Sequence, residues 1–158
     1  MIETTLEKWE AIIHGKDGED KNALLDDLLA DDVVFLSPVV FTPQKGKAVT
    51  KLYLGAAGAT FGDDDDASKK SSEASGSENK QEGFRYIKKI VSGNHATLEF
   101  ETTMGGKYVN GVDIITCNDE GKITEFKVMI RPLQAVNAVH AAMGAMLKKM
   151  QERPEAAA

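Results

Sequence analysis

Residues 111–123 read GVDIITCNDEGKI, an apolar run that contains one carboxylate and ends in a tight-turn sequence. With the two-residue period of a β-strand, Asp113, Ile115 and Cys117 share one face and the residues between them share the other. Both faces are mostly apolar, so we expect this strand to be covered on each side. An aspartate in such a strand is either buried at a cost or held for chemistry, and without a partner it tends to be protonated.

Four strand-like runs make up the second half of the sequence. They cover 84–91, 96–104, 108–117 and 123–131, and short turns rich in Gly, Asn and Asp separate them. Strands joined by such turns form an antiparallel meander. On the second run, Glu99 and Glu101 alternate with Leu98, Phe100 and Thr102, so we expect them to face away from the core. They are then either solvated or paired across strands, for instance with Arg131 or Lys127.

Helical spacing precedes this meander. Ile2, Leu6, Trp9 and Ile13 are three or four residues apart and form one stripe of a first helix. A second helix is predicted over 22–30, followed by a short strand at 33–36 and by a third helix that starts after Gly46 and ends near Phe61.

A last helix is predicted over 133–151, after Pro132. One apolar stripe contains Leu133, His140 and Met143, and a second contains Val139 and Met146. A helix that is apolar on two sides is covered on two sides, so we expect one stripe to pack on the domain and the other to join a second subunit in a homodimer.

The segment 62–83 differs from the rest of the chain in composition. It contains DDDD at 63–66 and no large apolar side chain. Nothing in it can contribute to a core, so we expect a solvated loop inserted into a single domain that spans 1–158. The acidic run lacks the ligand spacing of a calcium loop, and we predict neither a metal site nor a cofactor.

Composition restricts the partners. The 158 residues carry a formal net charge of −6 and no concentrated basic segment, which argues against nucleic acid and against an anionic membrane surface. No apolar run approaches the roughly 20 residues of a membrane helix. The single cysteine cannot form an internal disulfide, and no leader-like segment is evident, so a cytoplasmic protein is expected.

Four short segments resemble a known family. LADDVVFLSP at 29–38, GKAV at 46–49, GVD at 111–113 and DEGKI at 119–123 are similar to the recurrent segments of SnoaL-like domains. These domains belong to the nuclear transport factor 2-like superfamily, which also includes ketosteroid isomerases and polyketide cyclases. The resemblance implies an α+β fold in which a cone-shaped, curved antiparallel sheet packs on N-terminal helices, here with an extra C-terminal helix.

The resemblance also assigns roles to individual positions. Where ketosteroid isomerases have a general-base aspartate, this chain has Ser37, which cannot accept a proton at neutral pH. The oxyanion-hole tyrosine falls on Trp9, whose indole N–H still donates one hydrogen bond. The oxyanion-hole aspartate is retained as Asp113, a position where an acid kept neutral by apolar surroundings donates a hydrogen bond. Classical steroid-isomerase chemistry is therefore not expected.

Three residues are the candidate catalytic groups: Asp113, His14 and Ser37. For Asp113 the alternative is a structural acid that neighbouring groups satisfy. For His14 the alternative is a favourable interaction with the negative end of the first helix, just before Gly15.

The inward face of the sheet predicts an apolar pocket for a hydrophobic small molecule. Its predicted lining comes from the sheet and the helices: Leu98, Phe100, Ile115, Phe126, Val128 and Ile130, backed by Trp9, Ile13, Leu52 and Tyr53. Two functions remain open at this point. One is an enzyme that isomerises, cyclises or dehydrates a hydrophobic metabolite by polarising an oxygen, and the other is a non-catalytic, dimeric ligand-binding or scaffold domain.

Overall fold

The computed structural model describes residues 2–15, 20–62 and 83–151. The predicted insertion at 62–83 lies outside the described residues, apart from its two end residues. In the described residues, three helices and two strands precede a four-stranded meander, and a long helix closes the fold. The elements are α1 Glu3–Ile13, α2 Lys21–Leu28, β1 Leu29–Leu36, β2 Gln44–Lys45, α3 Lys47–Gly62, β3 Arg85–Ser92, β4 His95–Met104, β5 Lys107–Cys117, β6 Ile123–Arg131 and α4 Leu133–Gln151.

The α+β class predicted from the sequence is confirmed, and the sheet pairing adds one feature. The strand order is β2-β1-β6-β5-β4-β3. The meander from β3 to β6 is antiparallel, as expected from its short turns, whereas β1 runs parallel to β6. The sheet is therefore mixed, because β1 reaches β6 only through the whole intervening chain and no tight turn fixes their relative direction.

The sheet buries one face and leaves the other partly exposed. Along β4 and the second half of β5, buried residues alternate with half-buried ones. Asp113 and Ile115 point into the core, while Val112 and Ile114 lie on the outer face and are only half-buried. The expected coverage on both sides of β5 is thus wrong within the described residues, because all of the described helices pack against the inner face or its rim.

The outward glutamates have partners other than those predicted. Glu101 pairs with Arg85 at 2.7 Å and Glu99 pairs with Lys88 at 3.8 Å. Both partners come from β3 rather than β6, because the β3–β4 hairpin places Arg85 directly opposite Glu101.

The closing helix α4 covers its own domain with one stripe. Ala135, Val139 and Met143 are buried against α3 and the sheet. Leu133 is 75% exposed, and His140 is exposed as well. Met143, which the sequence places on the same stripe as Leu133 and His140, is thus buried on its own domain, and burial of the other stripe in a homodimer stays a prediction. No helix among the described ranges is both long and apolar enough to cross a membrane.

Candidate functional site

A chain of three polar side chains lies inside the apolar core. The indole Nε1–H of Trp9 donates to the hydroxyl oxygen of Tyr86 at 2.8 Å, and the Tyr86 hydroxyl donates to Oδ2 of Asp113. Asp113 and Trp9 are 5% and 6% exposed. The retained acid and the indole that replaces the family's tyrosine are therefore brought together, with Tyr86 between them.

Three elements position these groups. Asp113 lies on β5 between Leu98 on one side and Val128 on the other. Tyr86 enters from β3, just before a register shift in the β3–β4 ladder. Trp9 projects from the buried face of α1, and its ring meets Phe126 edge-on at a centroid distance of 5.0 Å.

The surroundings favour the protonated form of Asp113. Burial raises the pKa of this carboxyl from its usual 3.8 to about 7, and the hydrogen bond from Tyr86 opposes that rise only in part. No Lys or Arg in the described part of the chain contacts the carboxyl. Burial and the neighbouring Asp113 charge also raise the pKa of the Tyr86 hydroxyl, so the phenol stays protonated at neutral pH.

An ion pair links α1 to β3 close to the polar chain. Glu10, next to Trp9, contacts the ammonium group of Lys89 on β3. The contact joins the helix that carries the indole to the strand that carries the phenol, so it helps to fix the distance between Trp9 and Tyr86.

Most of the predicted pocket lining is packed core. Leu98, Phe100, Ile115 and Phe126 are each at most 1% exposed. Trp9 and Ile115 belong to the same buried cluster, against which Ile13 and Tyr53 pack from the helices. Leu52 is half-buried and lies outside the two core clusters of the described residues.

Two adjacent cavities lie near the end of β1. An open cleft of about 370 Å³ lies where β1 departs from β6, and a narrow apolar slot of about 40 Å³ lies on its inner side. Both are lined by the same four residues: Ser37, Pro38, Val128 and Ile130. Of the predicted lining residues, Val128 and Ile130 thus reach a cavity.

Neither cavity reaches Asp113, and the nearest lining residue in the sheet is Val128. Val128 lines the slot and pairs with Asp113 across the β5–β6 ladder, so its side chain stands beside the carboxyl on the inner face. Asp113 itself does not line either cavity. Val128 is therefore the residue that contributes to the slot and also neighbours Asp113 in the sheet.

The other two candidate catalytic residues lie apart from Asp113. Ser37 is at the cleft, where its Oγ accepts a hydrogen bond from the backbone N–H of Val39 at 3.1 Å. His14 is exposed at the C-terminal end of α1 and makes no recorded contact with Asp113. Their catalytic roles remain predictions.

Tyr86 is the site residue that the sequence did not reveal. It lies in a predicted strand with no motif around it, and its partners are 77 and 27 residues away. The available signal was physical: a tyrosine on the buried face of a strand needs a hydrogen-bond partner for its hydroxyl. Across the described ranges, no three His, Cys, Asp or Glu residues are grouped as metal ligands.

Comparisons with solved structures identify proteins of the same architecture. A steroid delta-isomerase from Pseudomonas aeruginosa is 28% identical with a TM-score of 0.75, covering 95% of this chain and 93% of that one. An uncharacterised protein with a cystatin-like fold from Silicibacter pomeroyi is 28% identical with a TM-score of 0.70, covering 96% and 88%. A SnoaL-like putative isomerase from Agrobacterium tumefaciens is 16% identical with a TM-score of 0.53, covering 82% and 96%, and shows the fold alone. No family model and no curated protein matches the sequence.

Proposed function

Because this chain has the nuclear transport factor 2-like fold of the SnoaL-like and steroid isomerase structures that it matches, we propose that it binds a hydrophobic small molecule and polarises a carbonyl oxygen on it. The observation that carries the proposal is the buried Asp113, whose carboxyl is hydrogen-bonded to Tyr86 and pairs with no cation in the described residues.

The number of hydrogen-bond donors in the polar chain determines whether one of them is available to a ligand. With Asp113 protonated, the indole N–H, the phenol O–H and the carboxyl O–H are three donors, whereas the chain itself uses only two acceptors, the Tyr86 oxygen and Asp113 Oδ2. One donor is therefore left for the oxygen of a ligand. When Asp113 ionises, both remaining donors are used internally and the carboxylate repels a partly negative oxygen.

Such a donor supports reactions that place negative charge on oxygen. Isomerisation, cyclisation and dehydration next to a carbonyl pass through enolate-like states, which buried hydrogen-bond donors stabilise. A group that removes the substrate proton is also needed. Ser37 lines the cleft but cannot take up a proton at neutral pH, and this observation favours the second candidate function, non-catalytic binding of the same class of ligand.

In this proposal the ligand enters from the cleft. A small group of a cleft-bound ligand that enters the slot would lie next to Val128, which pairs with Asp113 across the β5–β6 ladder. Val128→Ala removes two methyl groups at this position, so it should tighten binding of a carbonyl ligand while lowering the free energy of unfolding by about 1–2 kcal/mol.

The test uses two ligands of similar shape, 2-acetylnaphthalene and 2-ethylnaphthalene, of which only the first carries a carbonyl. Wild-type protein should bind the ketone about threefold to tenfold more tightly than the hydrocarbon at pH 6, which is the effect of one added hydrogen bond. The preference should fall as the pH rises through about 7, because Asp113 then loses its proton. Isothermal titration calorimetry measures both affinities.

Two variants locate the donor. Tyr86→Phe removes the hydrogen bond that lowers the pKa of Asp113, so the carboxyl stays protonated and the preference for the ketone should persist to higher pH than in wild type. Tyr108→Phe is the matched control, because Tyr108 is 45% exposed and its hydroxyl donates to Glu101 on the outer face. Equal binding of both ligands by wild-type protein, or a preference whose pH dependence is the same in Tyr86→Phe as in wild type, would contradict the proposal.

We also propose that the protein is a homodimer through the β3 side of the outer face of the sheet rather than through α4, an arrangement that leaves the cleft open. Ile90 lies on that side and is 59% exposed. Light scattering at tens of micromolar should give twice the monomer mass, and Ile90→Glu should give the monomer. A monomeric wild type would refute this assembly.

A cytoplasmic location also stays a prediction, which fractionation of the source cells would check.

A further inference from the structure

One lysine at the cleft differs in its contacts from the other half-buried lysines of the described residues. Lys47, Lys51 and Lys122 are half-buried, and each has a carboxylate oxygen within 4.0 Å of its ammonium group. Lys127 is half-buried as well, yet it takes part in no recorded ion pair or side-chain hydrogen bond. The remaining lysines of the described ranges that lack an ion pair, at 21, 45, 107, 148 and 149, are exposed.

Lys127 is also the one charged residue in the lining of the cleft. Its neighbours there are uncharged: Leu36, Ser37, Pro38, Val128, Met129 and Ile130. Glu125 shares the outer face of β6 with Lys127 but does not line the cleft and is not within ion-pair distance of it. A cation that is partly removed from water and unpaired is unfavourable unless an anion joins it.

The slot beyond the cleft has the opposite character. Besides the four shared residues, its wall consists of apolar side chains: Phe35, Val39, Ala57, Val139 and Met143. The combined site therefore places one positive charge beside an apolar recess, in a chain with a formal net charge of −6.

From this arrangement we propose that the cleft binds hydrophobic carboxylates, with the carboxylate at the Lys127 ammonium group and the apolar body along the uncharged lining of the cleft, next to the slot. The inference rests on the proposed function, since it names the class of molecule that enters the same cleft. A neutral Asp113 is compatible with such a ligand, because no second negative charge then opposes the bound carboxylate.

The probes are octanoate and 1-octanol, which share a chain and differ in charge. Chemical shifts of the backbone amides of Ser37, Val128 and Ile130 are followed in 1H–15N spectra during titration at pH 6 and low ionic strength. Octanoate should bind about fivefold more tightly than octanol, as expected for one partly exposed ion pair. The difference should shrink as salt is added.

Lys127→Met tests the residue directly, because methionine keeps much of the apolar stem without the charge. Octanoate affinity should fall to that of octanol, while octanol affinity is unchanged. Lys88→Met is the matched control on the same outer face, since Lys88 lies outside the cleft and should leave both affinities unchanged.

The outcomes separate this inference from the proposed function. If octanol and octanoate bind equally, or if the octanoate preference survives in Lys127→Met, the carboxylate site is refuted and the apolar pocket stands. If neither probe shifts the amides of the cleft, both the carboxylate site and the pocket of the proposed function are wrong.

Discussion

Asp113→Asn should change the stability of this protein in a way that depends strongly on pH. Burial raises the pKa of the carboxyl from 3.8 to about 7 in the folded protein. Below pH 4 the acid is protonated in both the folded and the unfolded chain, so it adds no pH dependence. Between pH 4 and 7 the unfolded chain releases the proton while the folded protein keeps it, and the free energy of unfolding therefore decreases as the pH rises.

The size of this effect follows from the interval between the two pKa values. Each pH unit corresponds to about 1.4 kcal/mol, so wild-type protein should lose about 4 kcal/mol from this one group between pH 4 and pH 8. Asparagine retains an acceptor for the Tyr86 hydroxyl and has no proton to release. The variant should therefore gain about 4 kcal/mol relative to wild type over the same range, and other titrating groups cancel in the comparison.

Urea denaturation of both proteins at pH 4, 6 and 8 measures the difference. Asp32→Asn is the control, because Asp32 is an exposed aspartate on β1 whose removal changes no buried carboxyl. A difference between wild type and Asp113→Asn that stays within about 1 kcal/mol across the range would show that the acid is ionised when folded. Asp113 would then not be the neutral hydrogen-bond donor of the proposed function.

Further changes test the neighbourhood of the site. Tyr86→Phe removes the hydrogen bond that lowers the pKa of Asp113, so carbon-detected NMR should find the carboxyl titrating above about 7, and urea unfolding should show a loss of about 1–3 kcal/mol. Gly111→Ala should destabilise the fold by more than about 2 kcal/mol, because an added Cβ would lie 2.5 Å from the Met129 carbonyl oxygen and from the Phe100 ring. Gly144→Ala is the opposite case: nothing lies within 4 Å of its added Cβ on the exposed side of α4, so thermal unfolding should show a gain of up to about 1 kcal/mol.

Local patterns in the sequence predicted the meander well. The alternation of apolar and polar side chains and the glycine-containing turns are each determined by a few consecutive residues. The predicted strand at 123–131 matches β6 at both ends, and the other three strands differ by at most one residue at either end. The parallel pairing of β1 with β6 was not predictable in this way. It joins segments about 90 residues apart, and without a resemblance to a known fold no local signal specifies which strand β1 meets or in which direction.

The candidate site was likewise predictable from the sequence only in part. Its acid was evident from the sequence, because a carboxylate in an apolar strand is conspicuous. The partner Tyr86 was not, because its position depends on the β3–β4 register and on a shift between Tyr86 and Lys88. The filled interior was also missed: alternation indicates which side chains face inward, but whether Phe100 and Phe126 leave a cavity or close it depends on how the sheet curves around them.

The indole at the start of the polar chain gives the protein a built-in optical reporter. Trp9 is the single tryptophan of the sequence, and its N–H is connected to Asp113 through one phenol. Its fluorescence emission should therefore change as the carboxyl gains or loses its proton, with a midpoint near pH 7 that is absent in Asp113→Asn. Binding at the cleft that reaches this chain would be visible in the same signal, without a label and at protein concentrations far below those of NMR.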